Sequence, residues 1–363
     1  MHYPWFKPLN NYNTNKGINF NFKSNKLTFG KKSIELEKKI KKILGVKHVI
    51  LTTSGTSALM MAYLALYKKS DKVLASDTNW VASLNPAKIL NLKINLVDTS
   101  FRSLKTNFNL MNAKIKKLRP NLVLLTHLNG SPNYNKDFDK LKKNYKFKVI
   151  EDAAQSFLIN SGEKKKYTGT VYEIGCFSLG ITKLVHMIYG GFCTTNSDNI
   201  AKKLFCIRNN GLSSLPDNYI IQASSTTGLN FKPSDLHSNF GLKNFKKKNL
   251  NLIRLNQIYK NYKDNLKNKD LEFVTKETKE SLPLYNHVIV KNKLKFIKYC
   301  AKNQIGVHTG FRAIHENIPF KNKTNKFLNS SFVSKHFIRI PSGPGYRLNE
   351  IKNICSILNK YKN

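Results

Sequence analysis

The sequence predicts an α/β protein in which helices flank a mostly parallel central sheet and a smaller α/β domain follows. In the first part of the chain, short apolar runs alternate with helical patterns, as is typical of strands joined by helical connections. Near Asp235 the alternation gives way to a long helical stretch, after which a second group of elements begins. The chain has 363 residues, of which 40% are hydrophobic, so it can bury a core and is not globally disordered. We predict a large domain over residues 1–245 and a small domain over residues 246–363.

The first helix is predicted at Ser33–Leu44, where isoleucine and leucine recur at mostly helical spacing and Gly45 follows as a stop. Short apolar runs after it indicate strands, and the helical patterns between them indicate connecting helices. The predicted strands are His48–Thr53, Lys72–Ser76, Ile94–Val97, Asn121–His127, Phe147–Asp152, Glu173–Leu179 and Gly191–Thr195. The predicted helices between them are Thr56–Lys68, Asn79–Asn91, Asn109–Leu118 and Lys136–Lys143.

The second unit is predicted to begin with a helix rich in Lys and Asn, from Asp235 to about Leu266, which would connect the two domains. Two strands and two helices follow it. They are predicted at Tyr285–Val290, Asn292–Asn303, Phe337–Ile340 and Leu348–Tyr361.

The chain is strongly basic, with 62 Lys and Arg against 21 Asp and Glu and a formal net charge of +41. Such a charge suits nucleic acid, an anionic membrane surface or a phosphorylated small molecule, and it cannot choose among them. It is also what an A+T-rich coding sequence produces, since Asn and Ile are plentiful too. No helix-turn-helix, zinc or RNP-type motif is present, which disfavours a nucleic-acid partner.

The five cysteines are odd in number, far apart and without a CxxC pair, so neither a disulfide framework nor a metal site is predicted. The longest helical apolar run, Thr56–Tyr67, is shorter than the ~18 residues that span a bilayer. The amino-terminal residues lack the apolar stretch of a signal peptide. These features predict a soluble protein of the cytoplasm.

Three segments have residues suited to chemistry. In the first, Thr52–Leu59, a turn of small and hydroxyl-bearing residues precedes an apolar helix. The free N–H groups at the start of a helix favour binding of a phosphate, although Ser and Thr are also ordinary helix caps. In the second, Asp152 follows an apolar strand, where ligands of open α/β sheets gather, although it would equally cap the next helix. In the third, Lys183 follows a buried strand and precedes Gly190 and Gly191, and burial would favour its reactive, neutral amine. No GxxxxGK[ST] or GxGxxG loop occurs.

Together these segments resemble the DegT/StrS-like sugar aminotransferases, which are pyridoxal phosphate (PLP) enzymes of fold type I. The likeness is collinear and extends from Gly30 into the C-terminal unit. It rests on SGTSAL at 54–59, TNWVASLN at 78–85, THLNG at 126–130, EDAAQ at 151–155, FSLGITK at 177–183, the pair Gly190-Gly191, GLN at 228–230 and SDLHSNFGL at 234–242. It implies the fold type I architecture and PLP as the cofactor.

The resemblance also implies a role for each matching residue. Lys183 would bind PLP covalently and later move the reacting proton, and Asp152 would pair with the pyridine nitrogen. Trp80 would stack on the ring, and Gln155 would contact the ring oxygen. The cofactor phosphate would be held by Gly55, Thr56, Ser57 and Ser178, together with Asn230 of a neighbouring subunit. A homodimer with shared active sites is therefore implied.

The chain departs from the family pattern in the segment expected on the substrate side. Gly310 and Phe311 replace a His and a Tyr, while Arg312 and His315 remain as candidate substrate contacts. The expected activity is transfer of an amino group, with glutamate as donor, to a nucleotide-linked keto-deoxysugar for surface glycans such as lipopolysaccharide, capsule or glycoprotein. Alternatives are a different phosphorylated ketone, or a basic nucleic-acid-binding protein without PLP chemistry. A related dehydratase is disfavoured, since such relatives have His in place of the PLP-binding Lys.

Overall fold

The structure is a computed structural model that describes residues 2–9, 27–162, 166–213, 224–276, 278–321 and 327–363. Its first unit contains seven strands, which are β1 (His48–Thr52), β2 (Lys72–Ser76), β3 (Lys93–Val97), β4 (Leu122–Thr126), β5 (Lys148–Asp152), β6 (Ile174–Ser178) and β7 (Gly191–Thr195). They form one sheet in the order β1-β7-β6-β5-β4-β2-β3. β7 runs antiparallel to both neighbours, and the other pairs are parallel. The predicted mostly parallel sheet is confirmed.

Helices cover both faces of this sheet. They are α1 (Lys31–Leu44), α2 (Gly55–Leu66), α3 (Asn85–Ile89), α4 (Phe108–Leu118), α5 (Lys136–Tyr145) and α6 (Asp198–Arg208). Helix α2 is apolar around most of its circumference because it packs on β6 and β7 on one side and against α6 on another. Its residues form the centre of the largest hydrophobic cluster, with Tyr63 fully buried. The sheet therefore holds the start of α2 rigidly beside the ends of its strands.

The second unit follows two consecutive helices, α7 (Asp235–Lys246) and α8 (Lys248–Asn265). It contains β8 (Leu271–Phe273), β9 (Asn286–Val290), α9 (Lys293–Lys302), α10 (Leu328–His336), β10 (Phe337–Ile340) and α11 (Leu348–Leu358). The strands form an antiparallel sheet in the order β10-β9-β8. Helix α8 packs against α11, and Tyr3 of the amino-terminal arm joins the same hydrophobic cluster. The domain boundary at residues 245 and 246 remains a prediction.

Some elements differ from the sequence-based expectation. The helix expected at Asn79–Asn91 is a short 3-10 turn, Val81–Ser83, followed by α3, because Pro86 fits only in the first turn of a helix. The helix expected from Asp235 to Leu266 is divided at Lys247, whose ψ is 1°. The sequence patterns did not predict helices α6 and α10 or strand β8. Among the described residues, no helix combines the length and the apolar character needed to cross a membrane.

Asp235 links the two ends of the large unit. Its carboxylate accepts hydrogen bonds from the N–H groups of Gly30 (2.8 Å), Lys32 (2.9 Å) and Ser33 (3.0 Å) and from the Ser33 hydroxyl (2.7 Å). These N–H groups lie at the start of α1, where they have no partner within the helix. The helix dipole also stabilises a negatively charged carboxylate at this end. The SDLHSNFGL segment thus fixes α7 against α1, and its acidic residue has a structural task.

Candidate active site

A cavity of about 580 Å³ opens at the carboxyl edge of the large sheet, where this edge faces the second unit. Helix α2 begins just beyond β1, while β5 and β6 end at Asp152 and Ser178. Parallel strands bring their carboxyl ends to one edge, so residues far apart in sequence meet there. Seven predicted site residues line the cavity: Gly55, Thr56, Trp80, Asp152, Gln155, Ser178 and Lys183.

Lys183 lies in the turn that follows β6. Its Nζ donates to the Tyr285 hydroxyl at 3.3 Å, and the Thr182 hydroxyl lies 3.0 Å from the same oxygen. Burial alone would raise the Tyr285 pKa, but the charges of Lys183 and Arg339, with these hydrogen bonds, outweigh it and lower that pKa. The amine is therefore fixed at the cavity wall by a polar group of the second unit.

Asp152 is buried at the end of β5. One carboxylate oxygen accepts from the Ser83 hydroxyl at 2.5 Å, and the other accepts from the Ala154 N–H at 3.0 Å. Burial raises the pKa of this carboxyl, although the hydrogen bonds from Ser83 and Ala154 and the Lys183 charge act in the opposite direction. A buried carboxylate of this kind is stabilised by an additional N–H donor from a cationic group in the cavity.

The amino-terminal turn of α2 and Ser178 form a narrow cradle. Ser54 caps α2 by accepting from the Ser57 N–H at 3.0 Å, while Gly55 and Thr56 line the cavity. A Cβ at Gly55 would lie 2.8 Å from the Ser178 Cβ, so this approach requires glycine. Ser57 itself lies outside the cavity lining, and its hydroxyl contacts the Thr53 and Ser54 hydroxyls at 2.9 and 2.7 Å.

The remaining predicted residues are distributed unevenly. Trp80 lines the cavity with 47% of its surface exposed, and Gln155 lines it while accepting from the Asn129 N–H at 2.9 Å. Three other residues do not line it. Asn230 is exposed and pairs with Asn209, and Arg312 is exposed with its Nε 3.7 Å from a Glu316 oxygen. His315 is instead held by buried Asp77, with its Nδ1 2.6 Å from a carboxylate oxygen.

Sequence reasoning missed the residues that reach the cavity from outside the large sheet. Tyr285, His308 and Arg339 come from the second unit, and Trp5 comes from the amino-terminal arm. The Trp5 ring lies 4.8 Å from the His308 ring and 5.8 Å from the Tyr285 ring. Tyr285, Arg339 and Trp5 lie in no motif, and Arg339 is one of 62 Lys and Arg residues. His308 lies two residues before Gly310, in the segment expected on the substrate side, but was not singled out. Their shared signal is position in space, which the sequence does not display.

A family model described as the DegT/DnrJ/EryC1/StrS aminotransferase family matches residues 11–359. The chain belongs to this family. Family membership gives the enzyme class and the cofactor, so the protein is a PLP-dependent aminotransferase. The sequence-based prediction of family, class and cofactor is confirmed.

Among known proteins, the chain is similar to a UDP-4-amino-4,6-dideoxy-N-acetyl-beta-L-altrosamine transaminase of Campylobacter jejuni, with 25% identity over 93% of this chain and 92% of that one. It is also similar to a GDP-4-keto-6-deoxy-D-mannose 3-dehydratase of Yersinia pseudotuberculosis, with 24% identity over 93% of both chains. Among solved structures, Helicobacter pylori PseC, an aminotransferase involved in the biosynthesis of pseudoaminic acid, superposes with a TM-score of 0.84. That match has 19% identity, covers 93% of each chain and supports the fold type I architecture.

The residues of the cavity fit PLP. The Gly55–Ser178 cradle suits a phosphate, since a helix start presents unpaired N–H groups, and Asp152 suits a protonated ring nitrogen. Trp80 offers a flat surface, and Lys183 supplies an amine. When bound, PLP withdraws electrons from the substrate carbon that bears the amino group.

The narrowness of the cradle leads to a prediction about the affinity for PLP. Gly55→Ala is expected to weaken PLP binding about ten-fold, because the new Cβ would displace Ser178 or the first turn of α2 at a cost of about 1–3 kcal/mol. Equilibrium titration of the apoprotein with PLP measures this. Lys202→Ala, which changes an exposed lysine of α6 outside the cavity lining, is the control. Unchanged affinity in Gly55→Ala would place the phosphate elsewhere.

Proposed function

We propose that this aminotransferase transfers an amino group from glutamate to the ketone of a nucleotide-linked deoxysugar. The observation that supports it most is the meeting of Lys183, buried Asp152 and the start of α2 around one cavity. A sugar substrate is supported by the similar transaminase and dehydratase, whose names specify UDP- and GDP-linked deoxysugars. The product would serve the synthesis of a surface glycan.

In this proposal each residue has a defined task. Lys183 Nζ would bind the cofactor and, once the amino donor has released it, would move the reacting proton. The Tyr285 hydroxyl, 3.3 Å away, orients that amine. Asp152 would keep the ring nitrogen protonated, while Ser83 and Ala154 hold the carboxylate in place. Gln155 and Trp80 would contact the ring.

The lysine at position 183 favours a transaminase over a dehydratase. A dehydratase relative that has His at this place lacks a residue that can both bind the cofactor covalently and move the proton as an amine. The five cysteines are free, which supports a cytoplasmic location.

The function is tested by following the two half-reactions separately. Addition of L-glutamate to the PLP form is expected to replace the aldehyde spectrum by that of the aminated cofactor. Nucleotide-linked keto-deoxysugars, supplied as a panel, should then restore the first spectrum for one member. Lys183→Ala should show neither of these spectral changes. Lys202→Ala, which changes an exposed lysine of α6, should behave as the wild type. Restoration by simple phosphorylated ketones, without any nucleotide sugar, would contradict the proposed acceptor.

We further propose that two copies of the chain share their active sites. Tyr189 and Ile181 line the cavity, yet 70% and 49% of their surfaces are exposed, as expected for residues that a second copy covers. Asn230 is exposed on the surface and does not line the cavity of its own chain. It is therefore available to complete the phosphate cradle of a partner.

Mixing two inactive variants tests this arrangement. Lys183→Ala and Asn230→Asp should each be defective alone, the second because a carboxylate would repel the cofactor phosphate. After denaturation and joint refolding, half of the dimers would be mixed and each would have one intact site, so activity should return to about a quarter of the wild-type value. Refolding each variant alone is the control. Activity no higher than the mean of the two variants would show that Asn230 acts within its own chain, or not at all.

A further inference from the structure

Arg339 is a buried cation at the cavity wall. It lies on β10, lines the cavity and has only 4% of its surface exposed. Its guanidinium lies over two aromatic rings, 4.4 Å from the Tyr285 ring centre and 4.5 Å from that of Phe311. These two contacts restrict the orientation of the planar group.

The hydrogen bonds of this guanidinium are incomplete. Its Nε donates weakly to the His287 Nε2 at 3.4 Å, whereas its Nη2 is buried without a hydrogen-bond partner among the described residues. Within the same part of the chain, no Asp or Glu forms an ion pair with Arg339. A buried charge without an anion is costly, so residues of this kind are normally paired. The missing partner would then come from a ligand.

The position of Arg339 indicates how close that ligand must lie to the reacting amine of Lys183. Tyr285 joins the two cations, since its ring contacts the guanidinium and its hydroxyl accepts from Lys183 Nζ. One side chain therefore separates the guanidinium from the amine. An α-amino acid has its carboxylate on the carbon that bears the reacting nitrogen, which matches this short separation. The diphosphate of a nucleotide sugar lies several bonds from the ketone and matches it less well.

The sequence departs from the family pattern in the segment that packs against Arg339. Phe311, which stands in place of the Tyr expected from the family resemblance, packs on the guanidinium. Gly310, which replaces the His, has a φ of +78°. The altered segment thus contributes an apolar ring to the Arg339 environment, and leaves the guanidinium without an acceptor from that segment.

We infer that Arg339 binds a substrate carboxylate through its guanidinium and so sets the specificity of the cavity for acidic substrates. The inference rests on the proposed function. Two sources of the carboxylate are possible in chemical terms, namely the amino donor and an acceptor sugar that is itself a carboxylate. The planar fork of arginine matches both oxygens of a carboxylate, which a lysine ammonium cannot do.

The test compares Arg339→Gln and Arg339→Lys in the PLP-loaded protein. For donor recognition, the glutamate concentration that gives half the maximal rate should rise about 100-fold in Arg339→Gln, as for loss of one partner of a buried charge pair. Arg339→Lys should show a smaller rise. Calorimetric titration with glutarate, which has no amine and cannot react, should show binding to the wild type and its loss in Arg339→Gln. Arg119→Gln, which changes an exposed arginine after α4, is the matched control.

A second set of measurements distinguishes the two sources. If glutamate kinetics are unchanged in Arg339→Gln but a keto-uronate sugar nucleotide is no longer aminated, the carboxylate belongs to the acceptor. Unchanged use of both substrates and unchanged glutarate binding, in a variant that melts like the wild type, would overturn the inference. Absence of glutarate binding to the wild type, with keto-uronate amination unchanged in Arg339→Gln, would also overturn it. If glutarate binds but no amino acid alters the cofactor spectrum, the proposed function fails while Arg339 remains a carboxylate site.

Discussion

The site depends on the burial of one carboxylate, that of Asp152, at the carboxyl edge of a parallel sheet. A carboxylate in such surroundings must have donors, and the fold supplies the Ser83 hydroxyl and the Ala154 N–H from two adjoining segments. The same strand arrangement brings Lys183 and the start of α2 to this edge. The sheet and α2 are tightly packed, which fixes the relative positions of these groups. The cofactor chemistry of the family therefore has a rigid support.

The second unit closes this edge and contributes Tyr285, His308 and Arg339 to the cavity lining. Tyr285 is central, since it contacts Lys183 through its hydroxyl and Arg339 through its ring. Trp5 packs beside it from the opposite end of the chain. In the proposed function, the cofactor side would thus be built from the large sheet, and the substrate side from the smaller unit and the arm. Such a division lets substrate preference change within a family while the cofactor site is retained.

The residues of the cofactor side could be predicted because each lies next to the end of a strand or the start of a helix, where the sequence marks the position. Lys183, Asp152 and Gly55 are of this kind. Arg339 and Tyr285 could not be predicted, since only the packing of one unit on another places them.

Arg312 and His315 were expected at the substrate, but Arg312 faces solvent near Glu316 and His315 is held by Asp77. The helix expected at Asn79–Asn91 was wrong in extent because Pro86 ends the helical pattern before it. The net charge of +41 also proved uninformative, as Lys183 and Arg339 are the Lys and Arg residues that line the cavity within the described chain.

Chemical trapping tests whether Lys183 holds the cofactor. Borohydride converts the link between PLP and a lysine into a stable secondary amine, which peptide mass spectrometry then locates. We expect the reduced adduct on Lys183 in the wild type and in Lys202→Ala, and no adduct at position 183 in Lys183→Ala, which has no amine there. An adduct on another lysine, or none on Lys183 in the PLP-loaded wild type, would contradict the account.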